Sequence, residues 1–117
     1  MINSGFFKAF KYATNGVTYF LLRERNARFH LLSTILVVSA GMYFQLAATE
    51  WLFILSAITA VWVTEMINTA IEKICDHVTQ EKNPAIKVIK DVAAGSVLIA
   101  AVYALITGAI IFIPKIL

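Results

Sequence analysis

Phe6, Phe10, Ala13, Val17, Phe20 and Leu21 recur at helical spacing, while Lys8, Lys11, Asn15 and Thr18 fall on the other side. This pattern predicts an amphipathic helix over about 4–27, capped by Asn3 or Ser4, too charged to cross a bilayer and suited to lie on its surface. Residues 31–48 (LLSTILVVSAGMYFQLAA) then run without a charge and predict a first membrane span over about 30–48. From Trp51 an apolar run reaches Val63, and its helical pattern continues unbroken through Glu65, Asn68, Glu72 and Asp76. It predicts one long helix that spans at about 50–72 and whose last turns leave the bilayer. Residues 92–113 are again uncharged. As a helix they rise about 33 Å, enough for a hydrocarbon core of about 30 Å, and predict the third span. Between the second and third spans, Glu81-Lys82-Asn83-Pro84 reads as a turn. Asp91 reads as the N-cap of the last helix, with Lys90 beside a helix N-terminus, where phosphate binds readily.

The pattern is that of an all-α membrane protein, and composition supports it. Of the 117 residues, 60% are apolar and 15% charged, against roughly 45–50% and about 25% in a soluble domain. A soluble chain this short could not hide so much apolar surface, and the same excess excludes disorder. Five Gly and one Cys exclude collagen and a disulfide framework, and the lone Cys75 has no internal partner to bridge. The length allows one domain, 1–117. No secretory signal pattern is read at the start.

The net charge of +3 could suggest nucleic acid, but the basic residues flank the apolar runs instead of pooling. Lys8, Lys11, Arg23, Arg25 and Arg28 precede the first run; Lys73, Lys82, Lys87 and Lys90 lie between the second and third; the first link has none and the tail only Lys115. Positive-inside bias then places the N-terminus and the second link in the cytoplasm and the C-terminus outside. Tyr43, Trp51 and Phe112 stand where outer-interface aromatics are expected.

The chemistry gathers on the second span. Glu65, Asn68, Glu72 and Asp76 keep within a sector of about 80° on one helical face, with Met66, Ile67 and Ile74 across from them. If Trp51 marks the outer interface, Glu65 lies about 21 Å inward and Glu72 about 10 Å beyond it, at the opposite boundary. An acid at the depth of Glu65 costs at least about 2.5–3.5 kcal/mol, which makes it a functional candidate, as a general base or proton site. The structural alternative is that these acids meet Lys90 or Arg28 of another helix and hold the bundle together. Glu24 stands eighteen positions after Phe6, so a continuous helix points it with the apolar stripe, where it needs a cation or a metal. His30 reads as interfacial, His77 as solvated, and Ala93, Ala94 and Gly95 as close-packing positions. None of G-x-x-x-x-G-K-[ST], G-x-G-x-x-G or H-E-x-x-H occurs, so any use of ATP would rest on carboxylates, a metal and lysines. A small ion or proton transporter, or a structural subunit of a membrane complex, would also place acids in a span.

Glu65-Met66-Ile67-Asn68-Thr69-Ala70-Ile71-Glu72, with Asp76 and then Lys90-Asp91, resembles the small integral-membrane lipid kinases of bacteria, the diacylglycerol kinase and undecaprenol kinase family. Glu24-Arg25-Asn26-Ala27-Arg28-Phe29-His30 and Lys8, Tyr12 and Gly16 fit too, so the likeness covers roughly 6–114. The E-R-N-x-R-x-H form is closer to the undecaprenol-kinase branch. The resemblance implies a homotrimer of three-span subunits in the bacterial cytoplasmic membrane, each with a surface helix, using MgATP to phosphorylate a lipid alcohol, undecaprenol first and diacylglycerol second. Carried over by position, Glu65 would be the base for the lipid hydroxyl, with Asn68 beside the substrate. Glu24 and Glu72 would hold Mg²⁺. Tyr12, Glu24, Glu72, Asp76, Glu81, Asn83, Lys90 and Asp91 would serve the nucleotide. Asn83 stands where the family often has histidine, so an ionic contact is missing there.

Overall fold

The computed structural model describes residues 2–117, with side chains from residue 5 onward. Four helices account for nearly all of it: α1 (Ile2–Arg23), α2 (Arg25–Tyr43), α3 (Ala48–Val78) and α4 (Pro84–Ile116). No strand occurs among the described residues. The chain divides into two compact units, the first ending at Ser39 and the second covering Ala40–Leu117.

In the first unit α1 begins before Asn3 and Ser4, so the two expected caps fall within the helix, and their side chains lie outside the described residues. The stripe of α1 is exposed at Phe6, Phe10 and Val17, as a helix lying on a lipid surface requires. The expected continuous helix to residue 27 is corrected at Glu24, which leaves the helical path between α1 and α2. Its N–H still reaches the Phe20 carbonyl (3.1 Å), and its own carbonyl accepts from the Ala27 N–H (3.2 Å). Arg28 donates from Nη2 to the Leu22 carbonyl (3.2 Å), satisfying a group in the last turn of α1. Arg28 thus caps a helix of its own unit. Phe20 and Ala27 are buried beside this junction.

The second unit opens with the end of α2, which stops at Tyr43 and not near residue 48. Gln45 takes a left-handed conformation (φ 53°), the Leu46 N–H bonds the Gly41 carbonyl (3.1 Å), and the Gln45 N–H bonds the Met42 carbonyl (3.3 Å). This pair of bonds is a Schellman cap. It turns the chain so that Trp51 packs on Gly41: a Cβ there would stand 2.6 Å from the indole Cη2. The uncharged stretch of α2, 29–43, rises about 22 Å, less than the hydrocarbon core.

Among the described residues, α3 and α4 are the helices long and apolar enough to cross a bilayer. α3 is a single helix of 31 residues, as its unbroken pattern predicts. The two run antiparallel and are joined at three levels. Lys115 pairs with Glu50 (3.0 Å), the Ser56 and Tyr103 hydroxyls share a hydrogen bond (2.9 Å), and Lys90 pairs with Asp76 (2.7 Å). Glu50 also accepts from the Ala47 N–H (2.9 Å), fixing the start of α3. At that same end the Phe44 and Phe112 rings meet at 6.1 Å, in line with an interfacial aromatic belt. The buried residues of α4, Ala93, Ala100, Thr107 and Ile111, follow a near-heptad seam in which small side chains allow close helix approach. Leu98, Ile99, Leu105 and Ile110 point outward and stay exposed, a surface suited to lipid rather than water.

Asp91 is not the N-cap of α4. That helix starts at Pro84, with Asn83 Oδ1 accepting from the N–H groups of Ala85 (2.9 Å) and Ile86 (3.3 Å). The loop from α3 is only residues 79–83, in which the Thr79 hydroxyl accepts from the Glu81 N–H (3.0 Å).

Candidate functional site on the α3–α4 hairpin

The buried residues of α3 are Ile54, Ala57, Glu65, Asn68 and Cys75, which recur on one face of the helix. An acid and an amide therefore sit in the same row as apolar core residues, at 6% and 8% exposure. Glu72 and Asp76 continue the row one and two turns further, and both are exposed. The polar stripe thus passes from covered to open along one rigid helix, and Glu65 and Glu72 differ by about 10 Å along its axis.

Asn68 connects the two parts. Its Nδ2 donates to Glu72 Oε1 (3.1 Å), which fixes the outer carboxylate. Its Oδ1 is buried and has no hydrogen-bond partner among the described residues. An unsatisfied buried acceptor costs about 1–3 kcal/mol, so this atom is an opening for a hydroxyl, a water or a cation. No group of three or more His, Cys, Asp or Glu side chains forms a metal cage among the described residues. Magnesium does not ask for one: it keeps several waters and takes one or two carboxylates together with substrate phosphates. A fixed, open carboxylate at Glu72 beside an unsatisfied amide oxygen fits that requirement.

The other wall is the start of α4. Lys90 reaches across to Asp76 (2.7 Å), while Lys87 pairs with Asp91 (2.6 Å) within α4. Each lysine is held above its usual range by the carboxylate that accepts its hydrogen bond. One acid of the α3 row therefore does meet Lys90, as the structural alternative expects. Lys90 lies about 10 Å inside α4, not at its end, so the phosphate site expected at that N-terminus is displaced from it. The amides at the true N-terminus are already engaged by Asn83. Glu81, in the loop, is exposed.

Two expected site residues belong to the first unit. Tyr12 is exposed on α1, and Glu24 is half-buried at the α1–α2 junction. His30 is half-buried with its ring edge-on to Phe29 (5.7 Å), and His77 is exposed. Sequence reasoning did not single out Ser56, Tyr103 or Glu50. Two hydroxyls within apolar runs, and an acid at the third position of a helix, were the available signals.

Helices of membrane length that carry a buried acid and amide, with further acids and a lysine where the row opens, define a membrane-embedded helical protein with a polar site at one end of its hairpin. The sequence pattern described as "Prokaryotic diacylglycerol kinase" matches residues 11–112. The chain belongs to this family and is a lipid kinase. It is 38% identical over 110 residues to the undecaprenol kinase of Bacillus subtilis, an alignment covering 94% of this chain and 89% of the relative. It is 34% identical over 110 residues to the diacylglycerol kinase of a Synechocystis species, covering 93% of this chain and 63% of that longer protein.

Proposed function

We propose that this chain transfers the γ-phosphoryl group of ATP to the hydroxyl of a membrane lipid alcohol, undecaprenol in preference to diacylglycerol. The observation that carries the reading is the burial of Glu65 and Asn68 on a helix of membrane length whose same face opens at Glu72 and Asp76. A lipid hydroxyl approaches from the bilayer and a nucleotide from water, so the reaction needs a covered end and an open end in register. Glu65 takes the hydroxyl proton as the lipid oxygen bonds to the γ-phosphorus and the bond to the β–γ bridging oxygen breaks, releasing ADP. Asn68 stands beside the acceptor and holds Glu72 through Nδ2. Magnesium, when bound, would neutralise phosphate charge, with Glu72 and Glu24 as its protein ligands. Lys90 offers an ammonium to the phosphates, with Asp76 supporting the site behind it, and Asp91, Glu81 and Tyr12 serve the nucleotide side. Asn83 uses Oδ1 in its cap, so its contribution to the nucleotide rests on Nδ2. The roles of Glu24 and Tyr12 rest on the family resemblance.

The same reading makes the whole chain, 1–117, one kinase domain of the bacterial cytoplasmic membrane. α1 lies on the cytoplasmic surface, and α2 completes a third span with Arg25 snorkelling to the headgroups. The site is shared in a homotrimer. What supports this is the charge count of the links and the resemblance.

Purified protein in micelles, given γ-labelled ATP and undecaprenol or diacylglycerol side by side, is expected to label both lipids, with the higher kcat/KM for undecaprenol. No labelled lipid from either would refute the reading, as would ATP-independent charge movement in sealed vesicles as the sole activity. Glu65→Gln is expected to lower kcat by about 10²–10⁴ without unfolding the protein, the range for loss of a general base.

A further inference from the structure

The hairpin ends in an ion pair that stability does not explain. Lys90 Nζ lies 2.7 Å from Asp76 Oδ1, fourteen residues apart in sequence and on different helices, with side-chain exposures of 39% and 60%. A pair this open adds little to folding. The hairpin is already held by Glu50–Lys115 at its far end, Ser56–Tyr103 along its length and the Asn83 cap beside the loop. Nor does Asp76 suit direct contact with a triphosphate, because its carboxylate would repel the phosphates. An ammonium, however, has three donors. Asp76 takes one of them and leaves two.

We infer that Asp76 is a positioning residue: it holds the Lys90 ammonium across from α3 before the nucleotide arrives, so that the lysine meets the phosphates already ordered. This deepens the kinase reading and rests on its assignment of Lys90 to the phosphates. A lysine side chain is among the costliest to order, and an interaction that orders it in advance raises affinity without a new contact. The neighbouring Lys87 is held by Asp91 within its own helix. Of these two lysines, Lys90 is the one that pairs with the acidic row of α3.

The test uses the full chain in micelles with MgATP and undecaprenol. Asp76→Asn is expected to raise KM for MgATP about three- to tenfold, the order for releasing one restrained lysine. Its kcat changes less than twofold and its thermal midpoint stays put, while Asp76→Glu recovers part of the loss. An unchanged or lowered KM in Asp76→Asn overturns the proposal. Lys90→Met separates the two layers. If it leaves KM for MgATP unchanged, the phosphate assignment fails and the proposal falls with it. If it raises KM while Asp76→Asn does not, only the positioning role fails. The exchanged double variant Asp76→Lys with Lys90→Asp restores a pair between the helices but puts the cation on α3. Its KM is expected to stay high, and full recovery would show that the pair merely ties the helices together.

Discussion

Replacing Asn83 by alanine removes the acceptor of two backbone N–H groups, those of Ala85 at 2.9 Å and Ile86 at 3.3 Å. Pro84 has no N–H, so these are the first amides of α4, and no preceding turn can take them. Loss of such a cap costs about 1 kcal/mol, or about a fivefold increase in opening of the first turn. Serine retains an oxygen acceptor and loses only Nδ2. Amide hydrogen exchange in micelles reads the opening directly, because exchange of a terminal turn follows its local unfolding equilibrium. Asn83→Ala is expected to speed exchange at Ala85 and Ile86 about fivefold, whereas Asn83→Ser stays near the parent. Unchanged exchange in the alanine variant, or equal acceleration in both, would refute the cap argument. The same pair isolates the nucleotide role: both variants lack Nδ2, so a contact through it raises KM for MgATP in both, while a pure cap effect shows only with alanine.

Glu72→Ala and Glu24→Ala are each expected to shift the magnesium titration of activity to higher concentration, and an unmoved titration counts against that residue as a ligand. Gly41→Ala would force the Trp51 indole away from a Cβ only 2.6 Å off, costing about 1–3 kcal/mol as overpacking does, readable in thermal unfolding followed by tryptophan fluorescence. Tyr103→Phe deletes the Ser56 hydrogen bond and is expected to cost about 0.6 kcal/mol, the average for such bonds between membrane helices; a loss beyond 2 kcal/mol would mean the hydroxyl does more than link α3 to α4.

The polar face of α3 was legible in the sequence because spacing alone fixes it. Without a glycine or proline between 48 and 78, residues 65, 68, 72 and 76 stay in register whatever packs around them. The order of burial, covered at Glu65 and Asn68 and open at Glu72 and Asp76, follows from where the apolar run stops. The end of α2 was not legible. Its cap is built on Gln45, a residue that seldom takes a left-handed conformation, and the glycine nearby serves Trp51 instead of the turn. The start of α4 was misplaced for a different reason. Lys87, Lys90 and Asp91 look like loop to a hydropathy pattern, but their charges are satisfied by pairing within α4 and across to α3, so a helix forms outside the apolar run. The Asn-Pro pair at 83–84 was the better sign, a cap followed by a proline at the first helical position.

The 31 residues of α3 act as a ruler about 46 Å long with no joint in it. Anything seated by Glu65 and anything seated by Glu72 are therefore kept at one separation and one azimuth by helical pitch alone, not by a loop that could adjust. One residue inserted between them would swing the distal carboxylate through about 100° while lengthening the rod by only about 1.5 Å. A change of length in the 79–83 connection would leave this spacing untouched, whereas within the ruler itself any change in count resets it.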